Sequence, residues 1–227
     1  MTGGILIAGN ESSLSAAIAA EAGKRAERFC AAFVPNHLPY PVERSAPKEE
    51  RGLIPLAWNP GSPVSARALT LAAENHLGQI SEAILVCTPP TVRKSAADLH
   101  AANIEIIIND YIKGWFFLVK ELASVFKARK AGALALVLSD TSGGGGRDDP
   151  DLIGPSVSAS FHAFAQGLMD SPAEPYGVYG FTVPAGEDNA LGAFVFKIIE
   201  EGGSPKGVRR NAGKWHKFGS RLSFLGR

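Results

Sequence analysis

The first residues that could do chemistry form a turn between a short apolar run and a helix of small residues. The run is Ile5–Ala8, the turn is GNESS at 9–13, and helix-forming residues continue over 14–22. A strand, a turn and a helix in this order direct free N–H groups and the positive end of the helix dipole at one point, which suits a dinucleotide's phosphates. Such a turn normally carries glycines, whereas serines stand here. Serine can donate to a phosphate, but Glu11 repels one. The turn therefore binds a dinucleotide or is only a structural connection, and the substitutions favour the second.

Thiols and imidazoles follow no metal-binding pattern in this chain. Cys30 and Cys87 lie in apolar runs, so each is predicted to be a buried free thiol. The histidines show no metal-ligand spacing with one another or with the cysteines; they are His37, His76, His100, His162 and His216. We therefore expect no metal site.

Apolar runs and helical patterns alternate along the rest of the chain. Strands are predicted at 5–8, 28–34, 52–58, 83–87, 133–138 and 176–183, with Pro55 indicating an edge or irregular position. Helices are predicted at 14–22, 62–76, 106–130, 156–169 and 191–201. This alternation predicts right-handed βαβ crossovers. The expected fold class is α/β, a single doubly wound parallel sheet (Rossmann-like, three-layer αβα), in one domain over 1–227.

Four segments, in this order of elements, resemble the short-chain dehydrogenase/reductase family. They are LGQISEAILV at 77–86, IKGWFFLVK at 112–120, the strand from Gly132 to Ser139, and PSVSAS at 155–160. The resemblance covers nearly the whole chain, in element order and spacing more than in motifs. It implies an oxidoreductase that uses NAD or NADP. It also implies a catalytic serine after the fifth strand and a Tyr-x-x-x-Lys pair on the next helix.

The phosphate-binding positions of that family are altered. Its Thr-Gly-x-x-x-Gly-x-Gly motif falls on Ala8, Gly9, Ser13 and Ser15, so only the first glycine is retained. Its Asn-Asn-Ala-Gly segment is replaced by CTPP at 87–90, where two prolines remove backbone donors.

The positions that would choose and hold the nucleoside are also unusual. Asn36 and His37 follow the second strand, where the family has an acid for NAD or an arginine for NADP. A ribose contact and an ordinary polar loop both fit them, and the loop is favoured. Asn59 matches the position that reaches the adenine. The resemblance makes the candidate cofactor contacts Gly9, Asn10, Ser13, Leu14, Asn59 and Thr88.

The catalytic positions have lost their proton-transfer groups. The family's tyrosine and lysine fall on Val157 and Phe161, and its helix asparagine falls on Tyr111. Neither valine nor phenylalanine can transfer a proton, so we expect the standard mechanism to be lost. Ser139 keeps the serine position. The remaining weak candidates for a displaced acid are Tyr111 and His162.

Two charged segments lie outside the family pattern. Two interpretations fit the glycine-rich stretch 143–151. It could be a mobile lid in which Arg147 binds an anion, or a flexible surface linker, and the composition favours the linker. The arm at 206–227 is basic with interleaved aromatics, which suits phosphate or RNA contact, or packing on a partner subunit. The net charge of +1 gives no reason to expect nucleic acid as a partner.

The resemblance also predicts assembly into a homodimer or homotetramer, through helices at 106–130 and 156–169. Aromatic residues on these helices would form the interface: Trp115, Phe116, Phe117, Phe161 and Phe164. No apolar stretch is long enough for a membrane span, and no signal peptide is recognised, so a cytoplasmic protein is expected.

Three functions stay open at this point. The first is a short-chain dehydrogenase-like protein with a decayed catalytic site, retained for ligand binding or assembly. The second is an active oxidoreductase with a displaced acid, and the third is a phosphate or nucleic-acid binder acting through the basic arm.

Overall fold

The computed structural model describes residues 4–35, 51–92, 94–140, 151–171, 174–184, 189–202 and 212–219. Several sequence predictions fall outside the described residues. They concern Asn36, His37, Arg147 with its glycine-rich stretch, and most of the basic arm.

The described residues form one sheet of seven strands. In chain order they are β1 (Gly4–Asn10), β2 (Phe29–Val34), β3 (Leu53–Pro55), β4 (Ile80–Cys87), β5 (Ala133–Asp140), β6 (Gly177–Pro184) and β7 (Trp215–Lys217). They lie side by side as β3-β2-β1-β4-β5-β6-β7, and every neighbouring pair is parallel. The doubly wound parallel sheet is confirmed, and Pro55 lies in an edge strand as predicted.

Helices cover both faces of this sheet. They are α1 (Ser13–Arg25), α2 (Pro63–Leu77), α3 (Ala101–Ile108), α4 (Gly114–Arg129), α5 (Ile153–Met169) and α6 (Asn189–Gly202). Successive strand residues point to opposite faces, so the central strands are apolar on both sides. Ile84 packs in the cluster with α1 and α6, while Leu85 packs in the cluster with α2, α4 and α5. Within the described residues no helix is both long and apolar enough to cross a bilayer.

The two cysteines are buried free thiols, as predicted. Cys30 lies in β2 and Cys87 ends β4, and both have 0% of their surface exposed. Burial raises the pKa of Cys30 to about 11 and raises that of Cys87 further. Neither thiol therefore forms a reactive thiolate near neutral pH.

The long helix predicted at 106–130 is three connected pieces. It begins at Ala101 with α3, passes through a π-helical turn at Asn109–Lys113, and continues as α4. The wider turn aligns the N–H of Gly114 with the carbonyl of Asn109, five residues back. Gly114 packs directly on Pro60, and a Cβ there would lie 3.0 Å from the Cα of Pro60. The loop before α2 thereby contacts the π-helical turn.

Part of the basic arm is a strand of the sheet, which the sequence did not predict. β7 pairs with β6 through Gly180↔Trp215, Phe181↔His216 and Thr182↔Lys217. Phe218 continues into contact with Phe194, at a ring distance of 5.4 Å. The described part of the arm thus packs on its own chain.

The expected aromatic face of the long helix is partly wrong. Trp115 and Phe161 are each 1% exposed and lie in the core, with their ring centroids 5.4 Å apart. Adjacent helical residues point about 100° apart, so three consecutive aromatics cannot share one face. Phe116 is the outward residue, 52% exposed, and its ring lies 4.3 Å from that of Phe164.

Candidate functional site

The carboxyl ends of β1, β4 and β5 form the edge at which parallel sheets of this kind bind ligands. The strand order reverses between β1 and β4, and ligands bind outside such a reversal. Asn10 ends β1, Thr88 follows β4, and Ser139 lies near the end of β5. α1 begins three residues after the end of β1, and α5 is the next described helix after β5, so the N-termini of both helices lie towards this edge.

Three hydroxyl groups at this edge form a continuous hydrogen-bonded chain that ends on a backbone carbonyl. Thr88 Oγ1 donates to Ser12 Oγ over 3.0 Å, and Ser12 Oγ donates to Ser15 Oγ over 3.0 Å. Ser15 Oγ then donates to the carbonyl oxygen of Asn10 over 2.6 Å. Ser12 Oγ also accepts the N–H of Ser15 at 3.1 Å and so caps α1. We call Thr88, Ser12 and Ser15 the hydroxyl chain.

The hydroxyl chain has no hydrogen left for a ligand phosphate. A serine or threonine hydroxyl carries one hydrogen, and each of the three is already donated within the chain. A phosphate oxygen only accepts hydrogen bonds, so binding one here requires breaking an existing bond. Ser12 and Ser15 are also 5% and 0% exposed. The hydroxyls therefore stabilise the turn between β1 and α1.

The other residues of the turn are also structural or unsuited to an anion. Gly9 lies within β1, where a Cβ would collide with the carbonyl of Val86. Leu14 is 1% exposed in the core, and Ser13 is half-buried at the start of α1. Asn10 is 2% exposed, and its Oδ1 has no hydrogen-bond partner within the described residues. The unpaired Oδ1 requires a donor, which a phosphate oxygen does not supply, so only the amide nitrogen of Asn10 could meet an anion.

Asn59, the candidate adenine contact, forms hydrogen bonds within its own turn. Its Oδ1 accepts the N–H of Gly61 at 3.0 Å, and its N–H donates to Ser65 Oγ over 2.8 Å. The side chain is exposed and forms the local bond typical of an asparagine turn. This bond accounts for the asparagine before Pro60 without a ligand.

The positions of the family's catalytic tyrosine and lysine face the protein core. Val157 is 0% and Phe161 1% exposed, one turn apart on α5. The ring of Phe161 meets the edge of Trp115 at 72°, and Trp115 lies 5.5 Å from Trp58. Packed apolar rings thus fill the space beside α5 where a proton relay would need polar groups and water.

Tyr111 lies in the same core cluster as these rings, and both Tyr111 and Ser139 are buried. Tyr111 lies in the π-helical turn and is 2% exposed, and Ser139 in β5 is 1% exposed. Burial raises the pKa of Tyr111 well above its usual range, and Cys87 and Asp110 raise it further. A phenol that holds its proton so tightly is a poor general acid at neutral pH.

His162 faces away from the candidate catalytic positions. Its imidazole is exposed and stacks on Trp215, with ring centroids 4.2 Å apart and an interplanar angle of 2°. Trp215 Nε1 also donates to Gln166 Oε1 over 3.0 Å. One face of α5 therefore binds β7 through His162 while another face buries Phe161. The structure does not bring His162 together with Ser139 or Tyr111.

Sequence reasoning did not identify two residues that organise this edge. Ser12 caps α1, and Asp151 precedes α5 and accepts three backbone N–H groups. Both are residue types that favour helix N-termini, so their position before a predicted helix was the available signal. Nothing in the sequence indicates that Ser12 pairs with Thr88 or that Asp151 pairs with Val92.

The described residues do not fit the dinucleotide that the resemblance implies. The hydroxyl chain is internally satisfied, Asn10 presents an unpaired acceptor, and Asn59 is committed to its turn. Among the described residues, no group of three potential ligands comes together to hold a metal ion.

Comparison with known proteins shows the fold. No protein-family profile matches the sequence, and no curated protein matches it. Solved structures do match. A short-chain dehydrogenase from Rhodopseudomonas palustris has a TM-score of 0.70 at 11% identity, over 96% of this chain and 98% of that one.

Two further structures give the same result. A short-chain dehydrogenase/reductase from Serratia marcescens has a TM-score of 0.68 at 10% identity, over 95% of each chain. Levodione reductase has a TM-score of 0.63 at 12% identity, over 81% of this chain and 72% of its own. The chain therefore has the fold of the short-chain dehydrogenases/reductases.

Proposed function

We propose that this chain is a divergent short-chain dehydrogenase/reductase that has lost the standard NAD(P)-dependent catalysis and is retained for ligand binding or assembly. The fold supports the relationship, and the residues at the sheet's carboxyl edge support the loss. The two buried free thiols suit a reducing compartment such as the cytoplasm.

The observation that carries this proposal is the packing of Val157 and Phe161. Both side chains lie in the core, and Phe161 contacts Trp115 edge to face. Reduction of a carbonyl needs a proton donor at the developing alkoxide. Neither residue can donate a proton, and the ring packed against Phe161 is that of Trp115, which in turn lies against its neighbour Trp58.

The alternative is an active oxidoreductase with a displaced acid. Tyr111 is the better placed candidate because it lies in the same core layer as Val157. Its burial and raised pKa oppose this role. His162 has a free exposed edge on α5, but its ring is stacked on Trp215.

A nucleic-acid role through the basic arm receives less support from the described residues. Base stacking requires accessible aromatic faces. Trp215 is stacked on His162, and Phe218 contacts Phe194. Two of the interleaved aromatics are thus used within the fold.

We propose assembly into a homodimer or homotetramer through the long helix and α5. Phe116 and Phe164 touch each other at the surface, and Phe116 remains 52% exposed. Ile104 and Ile108 on α3 are also 44% and 45% exposed. Large exposed apolar side chains on neighbouring helices favour burial against a second copy.

A turnover assay tests the loss of catalysis. Purified protein is incubated with NADH or NADPH and a panel of aldehydes, ketones, diketones and quinones, and oxidation is followed by absorbance. The expected rate equals the protein-free blank. Oxidation above the blank that disappears in Tyr111→Phe or His162→Ala would overturn the proposal in favour of the displaced acid.

A further inference from the structure

The segment that follows β4 is fastened to the N-termini of two helices. At its first residue, Thr88 donates to Ser12, which is 76 residues earlier in the chain and caps α1. The bond therefore joins β4 to the turn after β1. Because the Ser12 hydroxyl in turn donates a hydrogen bond to Ser15 Oγ, this contact also stabilises the first turn of α1.

At its other end the segment is held by a carboxylate. Asp151 Oδ1 accepts the N–H of Val92 at 3.2 Å, and also those of Ile153 at 3.1 Å and Gly154 at 3.0 Å. Gly154 packs against the carbonyl of Pro90, where a Cβ would lie 2.9 Å from that oxygen. Residues 88–92 thus contact the N-termini of both α1 and α5.

These contacts occupy several of the donors that a bound anion would use. Free N–H groups at a helix N-terminus attract phosphates and carboxylates. At α5 the anion is already present, because Asp151 supplies it. At α1 the N–H of Ser15 is bonded to Ser12, and the hydroxyl chain has no hydrogen left to donate.

We infer that residues 88–92 form a strap that fastens the carboxyl edge between α1 and α5 and replaces a dinucleotide pyrophosphate at the α1 turn. The strap makes the fold complete without a nucleotide, and the turn binds none. This inference is independent of the proposed loss of catalysis, since a protein without a proton donor can still hold NAD or NADP.

Thermal unfolding of matched variants tests the strap. Thr88→Val removes the hydroxyl with little change in shape, and Thr88→Ser keeps it. Thr88→Val is expected to lower Tm by about 2–6 °C because the buried Ser12 Oγ loses one of its two donors. Thr88→Ser is expected to stay close to wild type. Ser124→Ala is the control, because that exposed hydroxyl donates only to the carbonyl of Lys120 in its own helix.

Ligand addition to the wild-type protein is the second measurement. Inorganic pyrophosphate or NADH at about 1 mM is expected to leave Tm unchanged, since a ligand that binds the folded state raises Tm by mass action. If Thr88→Val yields no folded protein, Ser15→Ala takes its place. It removes the last donor of the hydroxyl chain from inside α1, with the same expected shift.

Two results would overturn the strap. One is a Tm for Thr88→Val equal to those of wild type and Ser124→Ala. The other is a rise in wild-type Tm of several degrees with pyrophosphate or NADH. Either result leaves the turnover assay unaffected, so failure of the strap and failure of the proposed loss of catalysis are distinguishable.

Discussion

At positions 157 and 161, apolar side chains occupy one face of α5 and are packed against neighbouring rings. Phe161 lies between α5 and α4 with its ring against Trp115, and Val157 is fully covered. Both side chains are therefore part of the core. Restoring a lysine or tyrosine there would have to displace packed side chains.

A single substitution tests whether position 161 belongs to the core. Phe161→Lys places an ammonium group in an apolar cluster, and it is expected to lower the free energy of unfolding by at least about 3–5 kcal/mol. Ala163→Lys, two residues along the same helix and exposed, is the control and should change stability little. Urea unfolding gives both values. Equal midpoints for the two variants would show that position 161 faces solvent.

Glu82 is a second residue whose surroundings lead to a testable prediction, here about the pH dependence of stability. It lies half-buried in β4, and burial raises its pKa above the ordinary 4.5, with Glu200 adding to the rise and Arg25 opposing it. A raised folded-state pKa contributes stability that is fully present below the unfolded pKa. That contribution is lost as the pH rises through the folded pKa.

Glu82→Gln removes this titration while keeping the shape. The Tm of the variant is expected to exceed that of wild type near neutral pH, where the wild-type carboxylate is charged. The two values should converge below about pH 4, where both side chains are neutral. Calorimetric scans across this range make the measurement. A constant difference at all pH values would assign the effect to packing instead of charge.

At the scale of elements, the π-helical turn is the least predictable part of the fold. The pattern over 106–130 predicted one continuous helix, and nothing in its apolar spacing marks an extra residue per turn. The turn is stabilised by tertiary contact, because Tyr111 is buried and Gly114 packs on Pro60. Such contacts join distant segments and leave no local signature.

Glycine replacements test the contact between the π-helical turn and the loop before α2. Gly114→Ala puts a methyl group onto Pro60 and is expected to cost about 1–3 kcal/mol. Gly167→Ala lies on α5 with open space around it and should stabilise the protein by about 0.5–1 kcal/mol. Denaturant unfolding compares the two. Stabilisation by both would show that the helix and the loop are not in close contact.

Strands and helices with strong apolar patterns were predictable, and those held by long-range contacts were not. β4 and β5 are covered on both faces and appear as continuous apolar runs. β7 has three residues, of which Trp215 and His216 are half-buried, so no run marks it. The apolar residues at the positions that the resemblance assigns to the catalytic pair, Val157 and Phe161, were visible in the sequence. The hydroxyl chain was not, because Thr88 and Ser12 meet only in the folded sheet.

At the scale of the whole molecule, the proposed assembly depends on exposed apolar side chains. Phe116 and Leu71 are almost equally exposed, at 52% and 50%, but lie on different helices. Phe116 touches Phe164 on α5 and belongs to the proposed interface. Leu71 lies on α2, outside it.

This pair of residues gives a matched test of the interface. Phe116→Glu is expected to convert the dimer or tetramer into monomer, because a carboxylate would be buried between copies. Leu71→Glu should leave the assembly intact. Light scattering at micromolar concentration measures both. A monomeric wild type, or dissociation by Leu71→Glu alone, would contradict the proposed interface.

The central claim is that this chain keeps the fold of a dehydrogenase without its dinucleotide-dependent chemistry. The most direct measurement is calorimetric titration of the wild-type protein with NAD⁺, NADH, NADP⁺ and NADPH, after confirming that no nucleotide co-purifies. We predict no heat of binding up to millimolar nucleotide, because the hydrogens of the hydroxyl chain are donated within it and Ser12 already accepts the N–H of Ser15. Binding of any of the four at micromolar concentration would contradict the account.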